Sequence, residues 1–190
     1  MLNNLKTTYK ILILIIAYAL LSLISYKLIL YKTTGLIDSI GLSFVLSWVM
    51  VLYGFVFFQL FKYFRLSDYV YRKKKVESKL WFRLLGIDLF QFLLVHSFFR
   101  YLNPRVYVKG IKNYIKVYHE ETKQAETSHI LSTIATLIAS YLLFEKGEYY
   151  SIIFLNYFSL LFNIYPILLQ RKNRFILESR FGNLLKKKDI

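Results

Sequence analysis

The sequence predicts an all-α membrane protein: four transmembrane helices, both termini cytoplasmic, and a further interfacial or re-entrant helix at about 84–100. Three observations lead there. Of 190 residues, 56% are hydrophobic and 19% aromatic, yet the formal net charge is +15. The two populations are separated along the chain, long apolar runs alternating with basic segments, as happens when residues are divided between hydrocarbon and cytosol. The basic residues also fall on one side. With four spans, the inner segments carry the whole net charge, and the two outer loops, 27–38 and 145–148, sum to zero. A fifth span would place the basic tail outside, against the positive-inside tendency.

The first apolar run covers about residues 11–31, behind Lys6 and Lys10. It is longer than the apolar region of a secretory signal, and Leu28-Ile29-Leu30-Tyr31 offers no small-residue cleavage site. A retained helix is expected. The second span, about 39–61, has no charge and Gln59 as its one strongly polar residue, and roughly 20 apolar residues suffice to cross a bilayer. Residues 62–128 form a cytoplasmic segment; between Lys62 and Arg83 it holds eight basic and two acidic residues, including Arg72-Lys73-Lys74-Lys75. Within it Leu84–Phe99 is apolar but carries Asp88, Gln91 and His96, which do not gather on one side of a helix. The third and fourth spans, about 129–144 and 149–169, are joined by the short Glu145-Lys146-Gly147-Glu148 turn as an antiparallel hairpin. Helix three should begin in the cytosol near Tyr114, and a basic tail, 170–190, follows helix four. Residues 1–190 form a single integral membrane domain on this reading, multi-pass in a bacterial cell (inner) membrane. Pro104 falls in a loop and Pro166 inside helix four.

The hairpin carries two polar stripes. Thr122, Glu126, His129, Thr133, Thr136 and Ser140 recur at threes and fours, and so share one face of helix three. Asn156, Ser159, Asn163, Pro166, Gln170 and Asn173 do the same on helix four. Lipid penalises exposed polar groups, so the stripes should face each other. Counting from the turn, His129 falls level with Pro166 and Asn163, Glu126 with Gln170, and Thr122 with Asn173 and Arg174. For Thr133, Thr136, Ser140, Asn156 and Ser159 the preferred role is helix-to-helix glue, worth about 1 kcal/mol per bond. Glu126 and His129 are candidates for chemistry: an ionisable pair at the hydrocarbon edge is costly to hold, and a carboxylate beside an imidazole suits a general base.

Arg171, Lys172 and Arg174 read as snorkelling to headgroups; the alternative for Arg174, with Lys123, is to hold an anionic substrate or balance Glu121 and Glu126. Asp88 and His96 read as structural. Absence of Cys excludes disulfides, thiolate metal sites and a cysteine nucleophile. No phosphate-binding glycine loop, HExxH, GxSxG or metal-spaced ligand cluster is present. No metal and no bound cofactor is expected, and membrane lipids are the expected partner rather than nucleic acid.

The segment Glu121-Thr122-Lys123-Gln124-Ala125-Glu126-Thr127-Ser128-His129 resembles the ETKxAExxH segment of the glycosyl-4,4'-diaponeurosporenoate acyltransferase family, enzymes of the last step of staphyloxanthin synthesis. Asn163-Ile164-Tyr165-Pro166-Ile167, followed by Gln170-Arg171-Lys172-Asn173-Arg174, is similar to its second block, and the spacing between blocks is similar too. The chain departs at Ile130, where the family has an aromatic residue, and in the more hydrophobic Leu84–Asn103 region. The resemblance implies transfer of a fatty acyl group onto a sugar hydroxyl of a membrane glycolipid such as a glycosyl-carotenoid, from an activated acyl donor whose carrier is open. His129 would then act as general base with Glu126 orienting it, and Glu121, Thr122, Lys123, Asn163, Gln170, Arg171, Asn173 and Arg174 would bind substrate. The alternative is a non-catalytic small membrane subunit, or lipid-positioning partner, of a larger membrane complex.

Overall fold

The structure, a computed structural model, describes residues 2–60, 68–71, 77–96 and 112–186. The basic run 72–75 and the stretch 97–111 with Pro104 lie outside the described residues. All regular structure within them is helical: α1 (Leu2–Leu30), α2 (Leu36–Leu60), α3 (Asp68–Tyr71), α4 (Lys79–Leu84), α5 (Ile87–His96), α6 (Lys112–Glu145), α7 (Tyr149–Ser159), a π-helical turn (Leu160–Ile164) and α8 (Tyr165–Lys186). Four helical stretches are long and apolar enough to cross a membrane: Tyr9–Leu30, Leu36–Leu60, Ile115–Glu145 and Tyr149–Gly182. Among the described residues α5 is ten residues long, shorter than these four. The protein is a multi-pass helical membrane protein.

The chain divides into two compact units. One comprises Met1–Arg65 and Thr127–Ile164, the other Leu66–Glu126 and Tyr165–Ile190. In the first, Leu46, Leu143 and Leu155 are wholly buried and form the core with Val49, Met50 and Ala139. Small residues on α2 let its neighbours approach. Ser39, Ser43 and Ser47 are buried at four-residue spacing, and the Ser43 hydroxyl donates to the Ser151 carbonyl at 2.8 Å. Gly54 marks the closest approach: a Cβ there would lie 2.5 Å from the Ser128 carbonyl oxygen and 2.8 Å from Ser132 Cβ. Small residues play this part wherever lipid supplies no hydrophobic drive between helices. α1 turns Ile13, Ile16 and Leu20 outward, as a helix bathed in hydrocarbon does.

The two predicted outer loops lie together at one end of this unit. Glu148 accepts hydrogen bonds from the backbone N–H and hydroxyl of Thr33, and Lys146 donates to the Ile29 carbonyl at 2.8 Å. Gly147, at φ +75°, closes the hairpin turn, and the N–H of Glu148 returns to the Leu143 carbonyl. Lower in the hairpin, Asn156 Nδ2 donates to Ser140 Oγ at 3.0 Å, so two glue residues of the predicted stripes do meet.

The second unit builds its core from Phe82, Ile87 and Leu169, with Trp81, Phe90, Tyr165 and Phe175 packed around them. The helix predicted at about 84–100 corresponds to α5, Ile87–His96, and residues 97–100 lie outside the described residues. Ser78 caps α4 by accepting from the Trp81 N–H, and Gly86, at φ +72°, breaks the chain before α5. α5 docks through charge as well as core: Lys172 Nζ donates to Asp88 at 2.6 Å and to Gln91 at 2.5 Å. Helix three begins at Lys112, close to the expected Tyr114, and helix four runs on well beyond residue 169.

Candidate active site

The helical hairpin positions every candidate residue, and each unit holds one polar cluster. In the first unit His129 projects from α6 toward the π-helical turn, where its ring faces the Asn163 side chain and the Phe162 backbone. Pro166 accounts for that turn. It has no N–H, so the Phe162 carbonyl four residues earlier loses its α-helical donor and is left to bond elsewhere. Asn163 is completely buried; its Nδ2 donates to Ser159 Oγ at 3.1 Å, while its Oδ1 has no hydrogen-bond partner. His129 Nδ1 is likewise buried without one. Two polar atoms without partners, side by side within a membrane span, are costly unless something else bonds them. Thr133 and Thr136 spend their hydroxyls on the His129 and Ser132 carbonyls of their own helix, not on a neighbouring one as expected.

The second unit holds a buried ion-pair network. Glu126 on α6 accepts a hydrogen bond from Arg174 Nη2 on α8, and its other oxygen lies 3.7 Å from Arg171 Nε. Arg171 is also 3.0 Å from Glu77 and donates from Nη2 to the Val70 carbonyl at 2.8 Å. Two carboxylates thus offset two guanidiniums, which lets all four leave water. The Arg174 guanidinium stacks 5.4 Å over the Tyr71 ring, which Lys123 approaches at 5.8 Å. Two arginine atoms, Arg171 Nε and Arg174 Nη1, are buried with no hydrogen-bond partner.

Glu126 therefore has its own partners, two arginines, and His129 has others, Asn163 and Phe162. The expected arrangement, a carboxylate orienting the imidazole three residues on, gives way to this division. The remaining candidates scatter around the second network. Thr122 is buried and donates to the His119 carbonyl at 2.7 Å, and Lys123 pairs with Glu120 at 2.9 Å. Asn173 is buried, while Glu121 and Gln170 are intermediate in exposure. Residues missed in the sequence are Tyr71 and Glu77, and His119, which pairs with Glu178 at 3.1 Å. Glu77 had one available signal: it is a lone carboxylate beside a basic run.

The family model for glycosyl-4,4'-diaponeurosporenoate acyltransferase (CrtO) matches residues 67–181, more than half of the chain. The chain belongs to that acyltransferase family. Among curated proteins and among solved structures nothing matches. The CrtO match contains both clusters, from Tyr71 and Glu77 through Glu126 and His129 to Asn163 and Arg174, and leaves out α1 and α2. Both helices of the hairpin fall inside it.

Proposed function

We propose that this membrane acyltransferase moves a fatty acyl group from an activated, carrier-bound donor onto a hydroxyl of a glycosylated membrane lipid, a glycosyl-carotenoid being the acceptor class. The observation that carries this reading is His129, held within a span beside Asn163 with Nδ1 unpartnered. A ring nitrogen facing a carbonyl that Pro166 cannot bond keeps its proton. The lone pair then lies on Nδ1, where a general base needs it.

His129 Nδ1 takes the acceptor hydroxyl proton as the oxygen attacks the acyl carbonyl, forming the new C–O bond. Collapse breaks the bond to the carrier, and His129 returns the proton to that leaving group. Asn163 holds the ring, acting as a positioning residue. Within the second unit, Arg174, with an N–H to spare, and Arg171 offer a place for an anionic group. The basic segments support termini on the cytoplasmic side of a bacterial inner membrane, where a carrier from the cytosol meets an acceptor in the bilayer.

His129→Ala in purified membranes should reduce acyl transfer by about 10²–10⁴-fold, the usual worth of a general base. An unchanged rate would remove the mechanism. Lipid profiling of a deletion strain names the acceptor: the acylated glycolipid should vanish and its free-hydroxyl precursor accumulate. A profile identical to wild type would favour a non-catalytic subunit.

A further inference from the structure

A groove in the first unit, on a different face of α6 from His129, is built to hold something apolar. It is a cavity of about 470 Å³ between α1, α2 and α6, within the ~300–1,000 Å³ typical of ligand sites. Its α6 wall is Ala135, Ile138, Ala139 and Leu142, again at threes and fours, whereas the His129 stripe runs through Thr133, Thr136 and Ser140. The hollow exists because small residues face it from both sides: Ala135 and Ala139 from α6, Ser22 and Ser25 from α1.

The groove offers almost no polar contact. Both serine hydroxyls are spent on their own helix, Ser22 donating to the Tyr18 carbonyl at 2.9 Å and Ser25 to that of Leu21 at 2.7 Å. Beyond the Tyr26 and Tyr53 hydroxyls, the polar lining sits at one end, where Glu145 and Lys146 line the mouth beside the hairpin turn. Lys146 uses one ammonium hydrogen on the Ile29 carbonyl, leaving two donors. Tyr26, Leu30, Ile138 and Leu142 along the rim are exposed, and in a membrane span exposure means lipid.

We infer that this groove binds one unbranched hydrocarbon chain of a bilayer phospholipid, entering from the leaflet that holds the Glu145–Glu148 turn, with its phosphate against Lys146. The volume is too small for a second helix, ~10–12 Å across, so a second copy of the chain does not fit. An apolar slot with a cation at the headgroup end matches an anionic lipid in both parts. Transmembrane helices splayed by small residues leave a gap that the bilayer fills, and the occupant fixes α1 against α6. This site is separate from the proposed catalysis and stands if that reading fails.

The test uses the full chain in nanodiscs containing phosphatidylglycerol with a photoreactive diazirine on one acyl chain. Illumination should label Ala135–Leu142 on the groove side, at Ile138 and Leu142, at least fivefold above Leu137, which faces plain lipid. Ala135→Phe and Ser22→Phe fill the slot from opposite walls and should each bring the groove label down to the Leu137 level. Unfolding temperature shows which variant is folded, and either one suffices. Lys146→Gln should lower labelling by the anionic probe more than by a phosphatidylcholine probe. Equal labelling at Ile138 and Leu137 in wild type, or groove labelling unmoved in a folded filling variant, overturns the proposal.

Discussion

The carboxylate of Glu126 rests on the guanidinium of Arg174, and both side chains are almost wholly removed from solvent. Forty-eight residues separate them in the chain. Removing one partner leaves the other charged and uncompensated in a low dielectric, at a cost of about 3–5 kcal/mol. Glu126→Gln and Arg174→Gln should each lower the unfolding temperature in detergent. Glu126→Leu combined with Arg174→Met should be milder than either single change, since no charge of the pair is then stranded. A double variant showing the sum of both losses would contradict this account.

Asn163 should act on rate rather than on substrate capture. Losing one polar contact on the imidazole is worth about 1 kcal/mol, or roughly fivefold. Asn163→Ala should therefore lower kcat by about that factor with KM little changed, while leaving His129 in place. A rise in KM at constant kcat would instead assign Asn163 to acceptor binding.

At Gly54 the tolerance is geometric. A methyl group would meet the Ser128 carbonyl and Ser132 at distances real side chains do not reach. Gly54→Ala should force α2 from α6 and cost about 1–3 kcal/mol; Gly54→Leu should cost more. Gly41, whose Cβ would meet nothing within 4 Å, supplies the control: Gly41→Ala should leave the unfolding temperature unchanged or raised.

The docking of α5 has a pH limit. The Lys172 hydrogen bond holds the Asp88 carboxyl below the usual carboxylate range, opposed by slight burial and helped by Lys172 and Arg83 charge. A depressed carboxyl contributes fully above its ordinary pKa, and the contribution fades as pH falls through the lowered value. α5 should stay docked through neutral and mildly acidic pH and loosen only below about pH 4. Trp81, beside Phe82 in this core, reports it in a Trp48→Phe background. Asp88→Asn should flatten the curve. The step will be modest, because Asp88 is half exposed and screened.

Much of the hairpin was legible because periodicity and one short turn fix its register. Three residues between the helices leave little freedom, so counting outward from Gly147 brought His129 level with Asn163. Glu126 was expected near Gln170 and is found on Arg174, one turn further on; a long guanidinium reaches back where a short side chain does not. The division of Glu126 from His129 was not legible. It depends on Glu77 and Val70, from a segment with no periodicity to place it, and on Pro166, whose missing N–H frees the Phe162 carbonyl. Gly86 likewise sets the start of α5 at Ile87, where apolar composition alone put it at Leu84. The groove escaped notice because alanines and serines announce nothing in a hydropathy profile.

The seam at Gly54 bears on how much of the polypeptide is a folding unit. Recombinant expression of residues 67–181, the stretch the CrtO family shares, would yield a hairpin stripped of α1 and α2. Ser151 would lose the hydroxyl of Ser43 from its carbonyl, and the surface of Ser128 and Ser132 that Gly54 covers would be turned to lipid. Homology thus marks the stretch shared with the family without marking a piece that stands alone, and a fragment meant to keep the α2–hairpin packing has to include α2.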